Sequence, residues 1–129
     1  LDLAGRFFEE ALGFERVVGP TGKLGDADGD LMTRRFGLDP RATGEFVFFQ
    51  LGGFAVELLA WDAPGRNETP ALNSDAAGRH LALSVTNMEA AKRQIAAFDG
   101  AEIREPNDAG YIYVKTPFGL EVQLIPVAD

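Results

Sequence analysis

The sequence predicts an α+β fold in which one unit, a helix followed by a β-hairpin, occurs twice. Three observations carry this. Residues 3–12 (LAGRFFEEAL) and 88–98 (MEAAKRQIAAF) both place apolar side chains at helical spacing, and a glycine closes each. Residues 45–61 (EFVFFQLGGFAVELLAW) and 111–125 (YIYVKTPFGLEVQLI) both read as strand–turn–strand. Finally, Gly53-x-x-Val56-x-Leu58-Leu59 in the first hairpin recurs as Gly119-x-x-Val122-x-Leu124-Ile125 in the second.

Taken in order, the first helix spans about 2–12. Leu3, Phe7, Phe8, Ala11 and Leu12 form its apolar stripe and Gly13 its stop. Residues 19–44 form a polar, glycine-rich loop with one helical turn near Leu31–Phe36. Within it, DADGD (26–30) resembles a calcium loop only superficially. Its glycine is at the wrong step and no glutamate closes a twelve-residue loop, so it reads as a solvated acidic segment. Arg34, Arg35 and Arg41 offer a grip for an anionic substrate, but scattered through a loop they read first as solubilising charges.

In the first hairpin, Gly52-Gly53 is a two-residue turn. It pairs Leu51 with Phe54, Gln50 with Ala55, Phe48 with Glu57 and Phe46 with Leu59. Val47, Phe49, Leu51, Phe54, Val56 and Leu58 then share one wholly apolar face, which should pack on a helix. Phe46, Phe48, Gln50, Ala55, Glu57 and Leu59 share the other. A carboxylate among aromatic rings means either that this face is open to water or that Glu57 binds something.

Residues 71–78 (ALNSDAAG) connect the two modules, with Asn73 able to reach the rim of a site. Next comes HLALSV, an alternating strand whose first residue, His80, is the single histidine of the chain. The second helix spans about 87–98, with Thr86 and Glu89 at capping-box spacing and Gly100 as the stop. In the second hairpin Val122 and Leu124 face the helix, while Glu121, Gln123 and Ile125 face away. The TPFG turn (116–119) leaves the register of Tyr111 and Tyr113 open.

The repeat is not symmetrical. The helix-closing glycines are 87 residues apart and the hairpin glycines 66, so the long loop gives the first module 21 extra residues. The counterpart of His80 would lie near position −7. The expectation is that the opening strand of the first module lies upstream of Leu1.

The totals bound the rest. At 129 residues, residues 1–129 read as one domain, with module 1 at about 1–70 and module 2 at about 78–129. A net charge of −8 disfavours nucleic acid and anionic membranes as partners. The absence of cysteine excludes disulfides, thiolate nucleophiles and zinc–thiolate sites, and is compatible with the cytoplasm. No apolar run approaches membrane-spanning length and no signal-peptide pattern opens the chain.

The order of helix, long loop and VELLAW, then HLALSVTNMEAA, then TPFGLEVQLIP, resembles the vicinal oxygen chelate superfamily. This group includes glyoxalases, epimerases, extradiol dioxygenases and bleomycin-resistance proteins. The resemblance covers nearly the whole chain. It implies two βαβββ modules forming a cupped mixed sheet around a small-molecule site, with metal ligands on the first and last strands of each module. Carried over, the ligands are Glu57, His80 and Gln123, with a fourth on the upstream strand. Glu57 is also the candidate catalytic base, with Glu121 a weaker candidate. Phe48, Gln50, Tyr113, Arg79 and Trp61 are candidates to line the substrate site, and Tyr111 to wall it. Gln123 departs from the family, which usually has glutamate there. An amide oxygen can ligate a metal but cannot take a proton as a carboxylate does.

The resemblance implies a lyase or isomerase of glyoxalase type. It would use a divalent ion (Zn, Ni, Co, Mn or Fe) to act on a small oxygen-chelating substrate through an enediolate. The alternative is a metal-free protein that sequesters an antibiotic or other aromatic molecule; an extradiol-type dioxygenase fits less well. A homodimer is expected, because an absent first strand leaves a sheet edge unpaired.

Overall fold

A computed structural model describes residues 1–19, 21–25, 30–104 and 110–127. It divides into two compact units, residues 1–9 with 13–68 and residues 10–12 with 69–129. Among the described residues no helix is long and apolar enough to cross a membrane. Residues 26–29 of the acidic DADGD segment lie outside the described residues.

The chain opens with α1 (Asp2–Arg6), which passes directly into a π-helical turn at Phe7–Ala11. The sequence pattern predicts a regular α-helix to residue 12. The wider turn has a packing reason: it brings consecutive side chains closer in direction, and both Phe7 and Phe8 are completely buried. The Phe14 amide donates to the Phe8 carbonyl at 2.9 Å, and Gly13 ends the turn at φ 74°.

Strand β3 (Thr43–Leu51) is the centre of this unit's sheet. Along its full length it pairs antiparallel with β4 (Phe54–Asp62), in the register that the Gly52-Gly53 turn predicts: Gln50 opposite Ala55, Phe48 opposite Glu57, Phe46 opposite Leu59. Two short strands, β1 (Glu15–Arg16) and β2 (Gly22–Leu24), pair with other stretches of β3. Neither was expected in the polar stretch after the first helix. Both are too short to alternate legibly, and β3 supplies the hydrogen-bonding edge that makes them strands.

The expected apolar face packs on the helix. The Phe8 ring stacks on Phe49 at 5.8 Å and meets Phe14 edge-on at 5.3 Å. Val47 and Phe49 are buried, but Leu51 and Phe54 beside the turn are exposed. α2 (Leu31–Phe36) is the single helical turn anticipated, buried through Met32 and closed by left-handed Gly37.

The second unit is one four-stranded sheet of order β5-β8-β7-β6. β5 (His80–Val85) runs parallel to β8 (Glu121–Pro126), with α3 (Met88–Ala96) between them in sequence. β7 (Ile112–Lys115) and β6 (Glu102–Ile103) complete it antiparallel. Ile95, Phe98, Ile112, Val114, Val122 and Leu124 are buried and form its core. The α3 cap differs from expectation: Asn87, not Thr86, caps the helix, its side-chain oxygen accepting from the Ala90 amide at 2.9 Å. The hairpin turn is closed by buried Thr116, whose hydroxyl donates to the Leu120 carbonyl at 2.6 Å, with Gly119 at φ 90°. This settles the open register: Lys115 faces Glu121 and Tyr113 faces Gln123.

Candidate functional site

β5, β8 and β7 bring His80, Gln123 and Tyr113 onto one sheet face. In the parallel pair the partner of His80 is Glu121, and the partner of Ala82 is Gln123. Side chains two residues apart on a strand share a face, so His80, Glu121 and Gln123 project to the same side, away from the buried Leu124 and Val122. Gln123 is half-buried and His80 exposed. The imidazole meets the Tyr113 ring edge-on at 5.3 Å and 88° between planes, and Tyr113 meets Tyr111 in the same way at 6.0 Å. The histidine at the start of the strand thus belongs to the polar face of this sheet, with an aromatic neighbour limiting where its ring can turn.

The same face carries a hydrogen-bonded carboxylate. Glu121 is largely buried, its side chain 16% exposed, and Arg104 Nη2 donates to its Oε1 at 2.5 Å. Asn73 Nδ2 donates to Oε2 at 2.7 Å. Asn73 had been expected at a site rim, and it reaches β8 across 48 residues of sequence. Arg104 had no local signal, because it follows a two-residue strand that no pattern reveals. Arg104 and Glu121 line a cleft of about 460 Å³ within this unit.

In the first unit, Glu57 is exposed on β4 opposite Phe48, and Phe46 and Phe48 stand edge to face at 6.0 Å. The face that Glu57 shares with Phe48 is therefore open to water at this position. Gln50 turns back on the hairpin, its Nε2 donating to the Gly52 carbonyl at 2.8 Å. Trp61 packs on Phe36 at 5.0 Å and lies over Gly44, where a Cβ would meet the indole at 2.6 Å. The Arg66 guanidinium also donates to the Trp61 carbonyl. Arg79 is exposed and its Nε contacts the Ala77 carbonyl at 3.4 Å.

The structure therefore brings His80, Gln123 and Tyr113 together in the second unit, while Glu57 and Phe48 pair in the first. Among the described residues no three His, Cys, Asp or Glu side chains gather as a metal-holding group. His80 and Gln123 supply one nitrogen and one oxygen donor on a common face. These are donor types that divalent first-row metals accept, so the two fit part of such a site.

Comparison with known proteins agrees with this architecture. Residues 1–124 match the sequence profile of the glyoxalase/bleomycin resistance protein/dioxygenase superfamily. A 2-epi-5-epi-valiolone epimerase from Actinomyces sp is 33% identical over 135 aligned positions, covering 97% of this chain and 72% of the epimerase. A glyoxalase family protein from Bacillus cereus superimposes with a TM-score of 0.74 at 19% identity, over 100% of this chain and 87% of that one. The antibiotic-binding protein TnmS3 from Streptomyces sp. CB03234 gives 0.58 at 15% identity, over 97% and 84%. A profile match over nearly the whole length, joined to a mixed α+β architecture of two sheets, places the chain in the glyoxalase/bleomycin resistance protein/dioxygenase superfamily.

Proposed function

We propose that the chain is a metal-dependent isomerase of the epimerase type, acting on a small substrate that presents two neighbouring oxygens. The observation that carries this is the common face of His80 and Gln123 on paired strands β5 and β8, beside a cleft of small-molecule size. The 33% identity to an epimerase supports the reaction class.

In this reading Glu57, His80 and Gln123 hold the ion, with a fourth ligand from an upstream strand. When bound, the ion supplies a Lewis acid for negative charge developing on the substrate oxygens. Glu57 is the base that removes the proton from the carbon beside the carbonyl. Water on the opposite face supplies the proton that inverts this carbon, and the exposed Glu57 carboxyl gives the proton it took to solvent. Gln123 takes no part in proton transfer, because an amide has no proton affinity in this range. Tyr113 holds the His80 ring, and Phe48, Gln50, Arg79 and Trp61 contribute to substrate binding. The reading takes the active form as a cytoplasmic homodimer.

The second reading is a metal-free binding protein for an antibiotic or another aromatic molecule. Two observations favour it: Gln123 offers an amide rather than a carboxylate, and the Phe46–Phe48 pair offers an aromatic surface. One experiment separates the two. Metal analysis of purified protein should find about one equivalent of a divalent ion, and His80→Ala should lose it. If the purified protein carries none and His80→Ala changes no ligand affinity, the isomerase reading falls and the binding protein replaces it.

A further inference from the structure

The polar face of the second unit holds a row of polar side chains, of which the proposed chemistry uses only His80. Cα pairing runs His80–Glu121 between β5 and β8, Glu121–Lys115 between β8 and β7, and Lys115–Glu102 between β7 and β6. The four therefore stand in one line across the sheet. Arg104, two residues beyond Glu102, points to the same side and closes on Glu121.

Glu121 is the fixed point. Donors from two separate segments, Arg104 after β6 and Asn73 in the connecting loop, hold one oxygen each. A carboxylate held from both sides is pre-organised and keeps its remaining lone pairs directed. Arg104 uses one of the five N–H groups of a guanidinium in that pair. The Lys115 ammonium lies 3.9 Å from the Glu102 carboxylate, longer than a hydrogen bond, and both are well exposed. Glu102, Arg104, Lys115 and Glu121 line the cleft of about 460 Å³, with Pro70 and Pro117 as apolar parts of its wall.

The charge balance narrows the ligand class. Two carboxylates and two cations make the cleft neutral. An anion would enter beside Glu102 and Glu121 on a chain of net charge −8, and a cation would meet Arg104 and Lys115. An uncharged ligand bearing adjacent hydroxyls escapes both penalties, because each hydroxyl donates to a carboxylate while accepting from a guanidinium or ammonium. The cleft is also within the roughly 300–1,000 Å³ usual for small-molecule sites.

We propose that this cleft is a polyol subsite that takes an uncharged, polyhydroxylated ring, with Glu121 accepting from it and Arg104 and Lys115 donating to it. Its place in catalysis rests on the isomerase reading. His80 stands one strand spacing from Glu121, about 4.8 Å, so a ring seated in the cleft lies beside the imidazole. Binding itself does not depend on that reading.

The test is a titration of the chain, stripped of metal with EDTA, followed by two-dimensional amide NMR. The probes are myo-inositol and, separately, inorganic phosphate. Saturable shifts with myo-inositol should centre on residues 102–104 and 113–121. Arg104→Ala and Lys115→Ala should each weaken binding about tenfold, the loss expected for a hydrogen bond to a charged group. Lys115 is exposed, so its variant keeps the fold and reads the contact alone. The proposal is overturned if myo-inositol gives no saturable shifts, if both variants bind it as the parent does, or if phosphate displaces it. Metal loss in His80→Ala decides the isomerase reading, and this titration without metal decides the subsite, so either can fail alone.

Discussion

Gln123→Glu tests the division of labour on β8 most directly. The change puts a carboxylate in place of the amide, two residues from Glu121 on the same strand face. Two residues of strand span about 6.6 Å. Two unit negative charges at that separation repel by about 0.6 kcal/mol in water and about 2.5 kcal/mol at an effective dielectric of 20. Position 123 is half-buried, and the Arg104 guanidinium on Glu121 offsets part of the repulsion. The metal-free variant should therefore lose about 1 kcal/mol, roughly 4 °C in melting temperature for a chain of this size. With a divalent ion the order should reverse. A charged ligand binds the ion more tightly than an amide, and saturation at about 1,000 times Kd adds about 4 kcal/mol to stability. The assay is a thermal melt of parent and variant, with EDTA and with excess Zn²⁺ or Mn²⁺. If the ion raises the variant's melting temperature no more than the parent's, Gln123 does not face a metal and the assignment fails.

Three further outcomes follow from the packing and charge. Phe49→Ala removes a fully buried ring stacked on Phe8 and should cost about 3–5 kcal/mol, read as a lower urea midpoint with an unchanged slope. Asn87→Ala removes the α3 cap and should cost about 1 kcal/mol, whereas Thr86→Ala should cost little, the reverse of what the capping-box spacing suggests. The side chain and then the backbone amide of Arg41 donate to Asp39 and hold its carboxyl down at about 2. Any stability from this pair is present above the ordinary carboxylate range and lost as pH falls through about 2. Carboxyl NMR should show that low midpoint, and Arg41→Ala should move it back up toward the ordinary range.

The sequence by itself determined what rests on local rules. The two-residue Gly52-Gly53 loop sets every pairing of β3 with β4, because a two-residue loop leaves one register and the period of two then assigns each side chain to a face. Gly13 after the first helical segment and the repeated hairpin pattern were legible for the same reason, whereas the second helix ends at Ala96 with Ala97 as its cap, short of the expected Gly100. The same rules put His80 at the head of β5 and Gln123 on the outward side of β8. Where the longer TPFG turn left several registers open, Thr116 closing on Leu120 decided it and set Tyr113 opposite Gln123. Only the tertiary structure decided the features that depend on a distant partner. β1 and β2 are strands because β3 offers them an edge, and the turn at Phe7–Ala11 is π-helical because two adjacent phenylalanines both have buried space to fill. The Asn73–Glu121–Arg104 cluster joins positions 48 and 17 residues apart. No spacing rule links residues from a loop, a strand end and a hairpin, and their hydrogen bonds form only once the sheet has set β6, β7 and β8 side by side.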